Sequence, residues 1–139
     1  MVGVWVVRVQ GHPAPGTIVR VDLNEGFREP EMGKRRPAIV LSPPIPGRSS
    51  LCTIVPLSTS PPRIILSRHM QITLNPPLPP PYSEPTMWLK GDIVLTVGFH
   101  RLRFLFSRGE DGGYVVDKRL LDTVTMDRVK ACVRAGIGV

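Results

Sequence analysis

Sixteen prolines and thirteen glycines cut this chain of 139 residues into short apolar runs. Proline disrupts helix interiors and glycine weakens them, so the cuts leave room for strands far more easily than for helices. The runs between them carry strand signals. "TIVRVDL" alternates, with Val19, Val21 and Leu23 on one face and Arg20 and Asp22 on the other. "PAIVLS" is continuously apolar, as a central strand is. "LCTIVPLST" alternates again, and Pro56 within it marks a strand end, an edge or a bulge because it has no N–H for a ladder. "HMQITL" puts Met70, Ile72 and Leu74 inward and Gln71 and Thr73 outward. "WLKGDIVLTV" is one further strand-like run with Gly91 as a candidate bulge, and "GEDGG" is a turn between "RFLFS" and "YVV".

The period changes only at the end. In "TMDRVKACVRAGIG", Met126, Val129, Val133 and Ile137 recur at helical spacing, with Thr125 placed to cap the start and Gly136 to end it. One apolar stripe means that this helix lies on the sheet. "NPPLPPPYSEP", residues 75–85, is polyproline-like, either a stiff surface loop or a PxxP-type ligand. The expected organisation is a leader over residues 1–15, an extra edge strand or loose, followed by a single domain over residues 16–139.

Formal net charge is +7, which favours an anionic partner. Fourteen of the eighteen basic residues are arginines, suited to bidentate phosphate contacts. Two distant cysteines, Cys52 and Cys132, and no Cys/His cluster predict a reduced protein without a metal site or cofactor. No apolar run approaches the roughly 18 residues of a membrane-spanning helix, and "MVGVWVVRVQ" is a poor signal peptide. The expectation is a soluble cytoplasmic protein with no membrane partner. Phosphate-cradling glycine loops, HExxH, GxSxG and usefully spaced carboxylate pairs are all missing from the sequence.

What stands out is arginine at a strand entrance beside small hydroxyl residues. Arg35 and Arg36 precede "PAIVLS", and Ser58, Thr59 and Ser60 close the next strand. If these neighbouring strands run antiparallel, the start of one lies beside the end of the other. Arg36 and Ser58 or Thr59 then share one edge of the sheet, where a rigid strand end holds a guanidinium for phosphate. Glu25, Glu29 and Glu31, in the loop before the arginines, are solvated or orient them.

Four successive blocks, "GTIVRVDL", "PEMGKRRPAIVLSP", "CTIVPLSTS" and "WLKGDIVLTVGFHRL", resemble those of the MazF/PemK toxin family, in order over residues 16–102. The helical end "VKACVRAGIG" also resembles the PemK-like branch. The resemblance implies a β-rich α+β fold, an SH3-like small barrel of antiparallel strands shared with CcdB-like toxins, with a C-terminal helix. It implies a homodimer, a cognate antitoxin, and metal-independent cleavage of single-stranded RNA at short sequences. The family's catalytic arginine falls on Arg36 and its threonine on Ser58, a departure that leaves Thr59 as the alternative hydroxyl. Asp92 and Trp88 are supporting candidates. Arg35, Arg63, Arg68, His69 and Arg101 are candidate RNA-binding residues, with Arg103 beside them and Phe99 as a second stacking ring. On the same fold, a gyrase-poison type of toxin or an inactive RNA- or antitoxin-binding relative are the alternatives.

Overall fold

The computed structural model describes residues 7–139. Its elements are β1 (Ile18–Asp22), β2 (Arg35–Val40), β3 (Leu51–Ser58), β4 (His69–Thr73), β5 (Thr86–Lys90), β6 (Leu95–Gly98), β7 (Leu102–Arg108), β8 (Tyr114–Asp117) and α1 (Thr123–Ile137). The strands pair antiparallel in the order β4-β5-β3-β2-β1-β7-β8, with β6 paired to β3. The end strands β4 and β8 do not pair with each other, so the small barrel stays open. The first six residues of the leader lie outside the described residues. Beyond them, Val7 and Val9 are buried and Arg8 bridges Arg103.

Alternation along the strands makes two cores, one per face of the sheet. Ile18, Ile39, Val55, Leu57, Met70, Ile72 and Leu89 pack on one face under Met126, Val129, Cys132 and Val133 of α1. Val19, Val21, Leu23, Ala38, Val40, Cys52, Ile54 and Leu102 pack on the other. Cys52 and Cys132 therefore belong to different cores, and both are free thiols. Pro56 falls where β3 changes partner. Residues 51–54 pair with β6 and residues 57–58 with β5, and Pro56 sits between the two ladders.

Four local expectations change. "WLKGDIVLTV" is two strands, β5 and β6, separated by a turn at Gly91 and Asp92. The reason is steric: a Cβ on Gly91 would lie 2.1 Å from the carbonyl oxygen of Cys132, so the turn packs backbone against backbone on α1. Gly136 makes the reciprocal contact, since its Cβ would lie 2.4 Å from the Asp92 nitrogen. It therefore sits inside the helix and does not end it. The helix is capped by Asp122, whose side chain accepts the Thr125 N–H, and it ends at Gly138, left-handed at φ 77°. Cys132 takes the buried position expected of Ile137, which is exposed in the last turn.

Candidate functional site

The two arginines are the first two residues of β2 and do not precede it. Arg35 lies opposite Asp22 and Arg36 opposite Val21. Consecutive strand residues point to opposite faces, so the pair is divided. Arg35 goes to the helix-bearing side, where its Nε donates to Asp22 Oδ2 at 3.0 Å. Arg36 goes to the other side, where its Nε donates to the Gly33 carbonyl at 2.8 Å. None of Glu25, Glu29 and Glu31 forms an ion pair with either arginine among the described residues.

The β2–β3 ladder ends at Ala38 opposite Pro56. Carried on in the same register, it brings Arg36 level with Ser58. Ser58 in turn stands opposite Trp88, and Trp88 opposite Gln71. Directly opposed residues share a face. A row of Arg36, Ser58, Trp88 and Gln71 thus crosses the sheet on the side away from α1. Ser58 is buried, and its Oγ accepts the Ser60 N–H at 3.1 Å, which orients the hydroxyl. Thr59 next to it is exposed. Trp88 is half-buried, with part of its ring surface open.

The neighbouring rung on the same face pairs His69 with Lys90. Both line a depression of about 690 Å³ together with Arg63, Arg68 and Asp92. Asp92 faces Arg68 at 3.7 Å and is the sole carboxylate among these residues. His69 Nδ1 accepts the Leu66 N–H at 3.0 Å, so the neutral ring carries its proton on Nε2 and offers a donor there. Arg101 lies elsewhere. Its Nη1 donates to the Asp22 and Glu25 carbonyls at 3.1 and 2.9 Å, and its guanidinium covers the Phe27 ring, which ties down the β1–β2 connection. Phe99 packs on the second core, with the His12 ring at its edge.

Lys90 and Gln71 join the site without having been singled out in the sequence. The outward position of Gln71 was legible from alternation. Its rung with Trp88 was not, because the β4–β5 register is set across the Pro-rich loop. Among the described residues no three His, Cys, Asp or Glu side chains gather as metal ligands would. The array is cationic, with one oriented hydroxyl and one aromatic face. It suits a single-stranded polyanion with a phosphate between Arg36 and Ser58.

A family model described as PemK-like, MazF-like toxin of type II toxin–antitoxin system matches residues 14–136. The chain belongs to this toxin family. The match spans the whole row just described, from β1 to α1. No curated protein sequence matches the chain. Among solved structures, MazF from Deinococcus radiodurans is similar at 17% identity and a TM-score of 0.60, covering 92% of this chain and 98% of its own. A mycobacterial endoribonuclease in complex with its cognate antitoxin has 20% identity and a TM-score of 0.58, over 91% and 96% of the two chains. The Mycobacterium tuberculosis toxin MazF-mt6 has 12% identity and a TM-score of 0.57, over 91% and 98%. At these identities the structural likeness establishes the MazF fold, an antiparallel small barrel with one C-terminal helix.

Proposed function

We propose that this toxin is a cytoplasmic endoribonuclease that cuts single-stranded RNA with Arg36 and Ser58 at the scissile phosphate. The observation that carries the reading is the row itself: a guanidinium held at a strand entrance, level with a buried, oriented serine, on the face that α1 leaves open. The 2′-oxygen of the ribose supplies the nucleophile. It bonds to phosphorus, the bond from phosphorus to the 5′-oxygen breaks, the 2′-proton departs and a proton is returned to the 5′-oxygen. The products are a 2′,3′-cyclic phosphate and a 5′-hydroxyl end, and DNA resists because it lacks the 2′-hydroxyl.

The protein's task in that step is to hold the phosphate in line and to stabilise charge on its equatorial oxygens. Arg36 donates from a fixed fork, and Ser58 Oγ, oriented by Ser60, adds a hydroxyl donor. The Nε2–H of His69 is a hydrogen-bond donor for a phosphate oxygen and not the acid of the reaction, since with Nδ1 accepting the Leu66 N–H its loss would leave an imidazolate. Trp88 offers a base a stacking face, and Lys90, Arg63 and Arg68 follow the backbone. Thr59, exposed and unoriented, is the weaker hydroxyl. A toxin acting only by protein contact has no use for the Arg36–Ser58 pair.

The reading includes a homodimer and a cognate antitoxin. Ile64, Ile65 and Leu66 are 70%, 66% and 45% exposed beside the basic depression, an apolar patch that a protein partner would cover. The test is incubation of purified protein with end-labelled single-stranded RNA in excess EDTA, beside Arg36→Ala. Cutting by the wild type alone, with 5′-hydroxyl ends, is the expected result. Normal cutting by folded Arg36→Ala protein overturns the assignment.

A further inference from the structure

A second group of arginines lies on the helix-bearing side of the sheet. Arg20 in β1 is opposite Arg103 in β7, and Arg35 follows two residues along the neighbouring strand pair. Arg20 is half-buried, and its Nε is fully buried with no hydrogen-bond partner among the described residues. Among the described residues it forms no salt bridge either. Burial disfavours its charge; Tyr82 opposes that shift, Arg35 and Arg103 add repulsion, and Asp22, already held by Arg35, offsets a smaller part. A half-buried guanidinium with a dry, unpartnered Nε beside two other arginines is costly unless an anion completes it.

The space in front of it has the shape of such a ligand. Arg20 and Arg35 line one part of a cavity of about 210 Å³, and Pro81, Tyr82, Leu105 and Phe106 are among the residues that line the rest. At about 30 Å³ per water, that is room for roughly seven waters, enough for one planar ring system and its substituents. Two guanidiniums beside an apolar, ring-lined wall match a phosphate joined to a base. A peptide strand has no docking edge here, because β1 is paired on both sides, to β2 and to β7.

We propose that this cavity is a nucleotide pocket in which Arg20 and Arg35 take the phosphate and Tyr82 takes the base. It rests on the endoribonuclease reading for its biological meaning, though not for its chemistry. The ligand is either a free nucleotide or a nucleotide of the RNA flanking the cut. The second source is within reach, since Arg35 and Arg36 are consecutive residues at one strand entrance. An RNA passing Arg36 on one face turns a flanking unit over that entrance into the pocket.

The test is titration of the ¹⁵N-labelled full chain with the four nucleoside 5′-monophosphates, inorganic phosphate, and an acidic peptide containing tyrosine. Expected are saturable shifts at the Arg20, Tyr82 and Leu105 amides with at least one nucleotide. Arg20→Met and Tyr82→Leu each weaken them ten-fold or more, the second variant serving if the first unfolds. No nucleotide shift at these amides, or shifts with the peptide alone, overturns the proposal. The source is read from kinetics. A raised KM for long RNA in Arg20→Met marks a flanking unit, and a nucleotide effect on wild-type cutting that Arg20→Met lacks marks a free ligand. Failure of the pocket leaves RNA cutting by the wild type intact. Failure of the nuclease reading leaves the nucleotide shifts.

Discussion

Arg36 donates its Nε to the Gly33 carbonyl at 2.8 Å, and its two Nη groups bond to none of the described residues, so the fork is aimed by the loop that precedes its own strand. Lysine has no Nε–H with which to make that bond and presents a single point charge. Arg36→Lys is therefore expected to lose about 10²-fold or more in RNA cutting, close to the loss in Arg36→Ala, by the scale of a missing charge-stabilising donor. Single-turnover cutting rates of the two variants, with matching circular dichroism, check this. Near-normal cutting by the lysine variant means that charge alone suffices.

Ser58 and Thr59 are separated by burial. Ser58→Ala removes the oriented hydroxyl and is expected to slow cutting by about 10²-fold. Thr59→Ala alters an exposed side chain and is expected to stay within about three-fold, in line with a surface change of under roughly 0.5 kcal/mol. The reverse ranking in the same assay assigns the hydroxyl to Thr59.

Gly91 and Gly136 let the β5–β6 turn and α1 meet backbone to backbone. Gly91→Ala puts a methyl 2.1 Å from the Cys132 carbonyl oxygen. The contact is with backbone, which cannot turn aside, so the expected loss is at the upper end of about 1–3 kcal/mol, or beyond it. Gly11→Ala, where nothing lies within 4 Å, is expected to stay within about 0.5 kcal/mol. Urea midpoints measured side by side give the comparison.

The Asp22 carboxyl lies below its ordinary value of 3.8, chiefly because it accepts the Asn24 N–H and also because it faces Arg35. A group with a depressed folded-state pKa contributes stability that is complete above its unfolded value and fades as pH falls through the folded value. Asp22→Asn is expected to flatten the acid side of the stability curve below about pH 4, with a smaller change at neutral pH than the loss of a buried pair. Urea midpoints from pH 2 to 7 for both proteins test it.

Cys52 is buried in the second core, and desolvation pushes its thiol up to about 11. Since the thiolate is the reactive form, native protein at pH 8 is expected to react with thiol reagents at least ten-fold more slowly than unfolded protein. Cys132 is also pushed up by burial and follows the same trend.

Most strands were legible because alternation and proline breaks are local signals. "TIVRVDL", "HMQITL" and the "GEDGG" turn all appear where the pattern put them. The two glycine expectations that change share one cause, contact between distant segments. Nothing near Gly91 or Gly136 announces that the two approach each other, so the local pattern gives a bulge at one and a helix stop at the other. The meeting of Arg36 and Ser58 at one edge of the sheet follows from connectivity alone, because a short antiparallel link fixes which strand ends meet. No local signal places Lys90 and Gln71 on the face of Trp88, or Arg101 away from that row, because register across long loops depends on side chains far away in sequence.

The division of Arg35 from Arg36 follows from the alignment of β2 with its two neighbours, with β1 from Ile18–Ile39 to Asp22–Arg35 and with β3 from Ala38–Pro56 to Val40–Ile54. A slip of one residue would exchange their faces, sending the site's arginine to Asp22 and the ion-paired one to the open side. The five apolar side chains Ile18, Val19, Val21, Ala38 and Ile39, buried on alternate faces, forbid that slip. Core substitutions here thus threaten more than stability: a variant of this ladder that still folds, one residue out of phase, would keep every arginine in its sequence and present the wrong one.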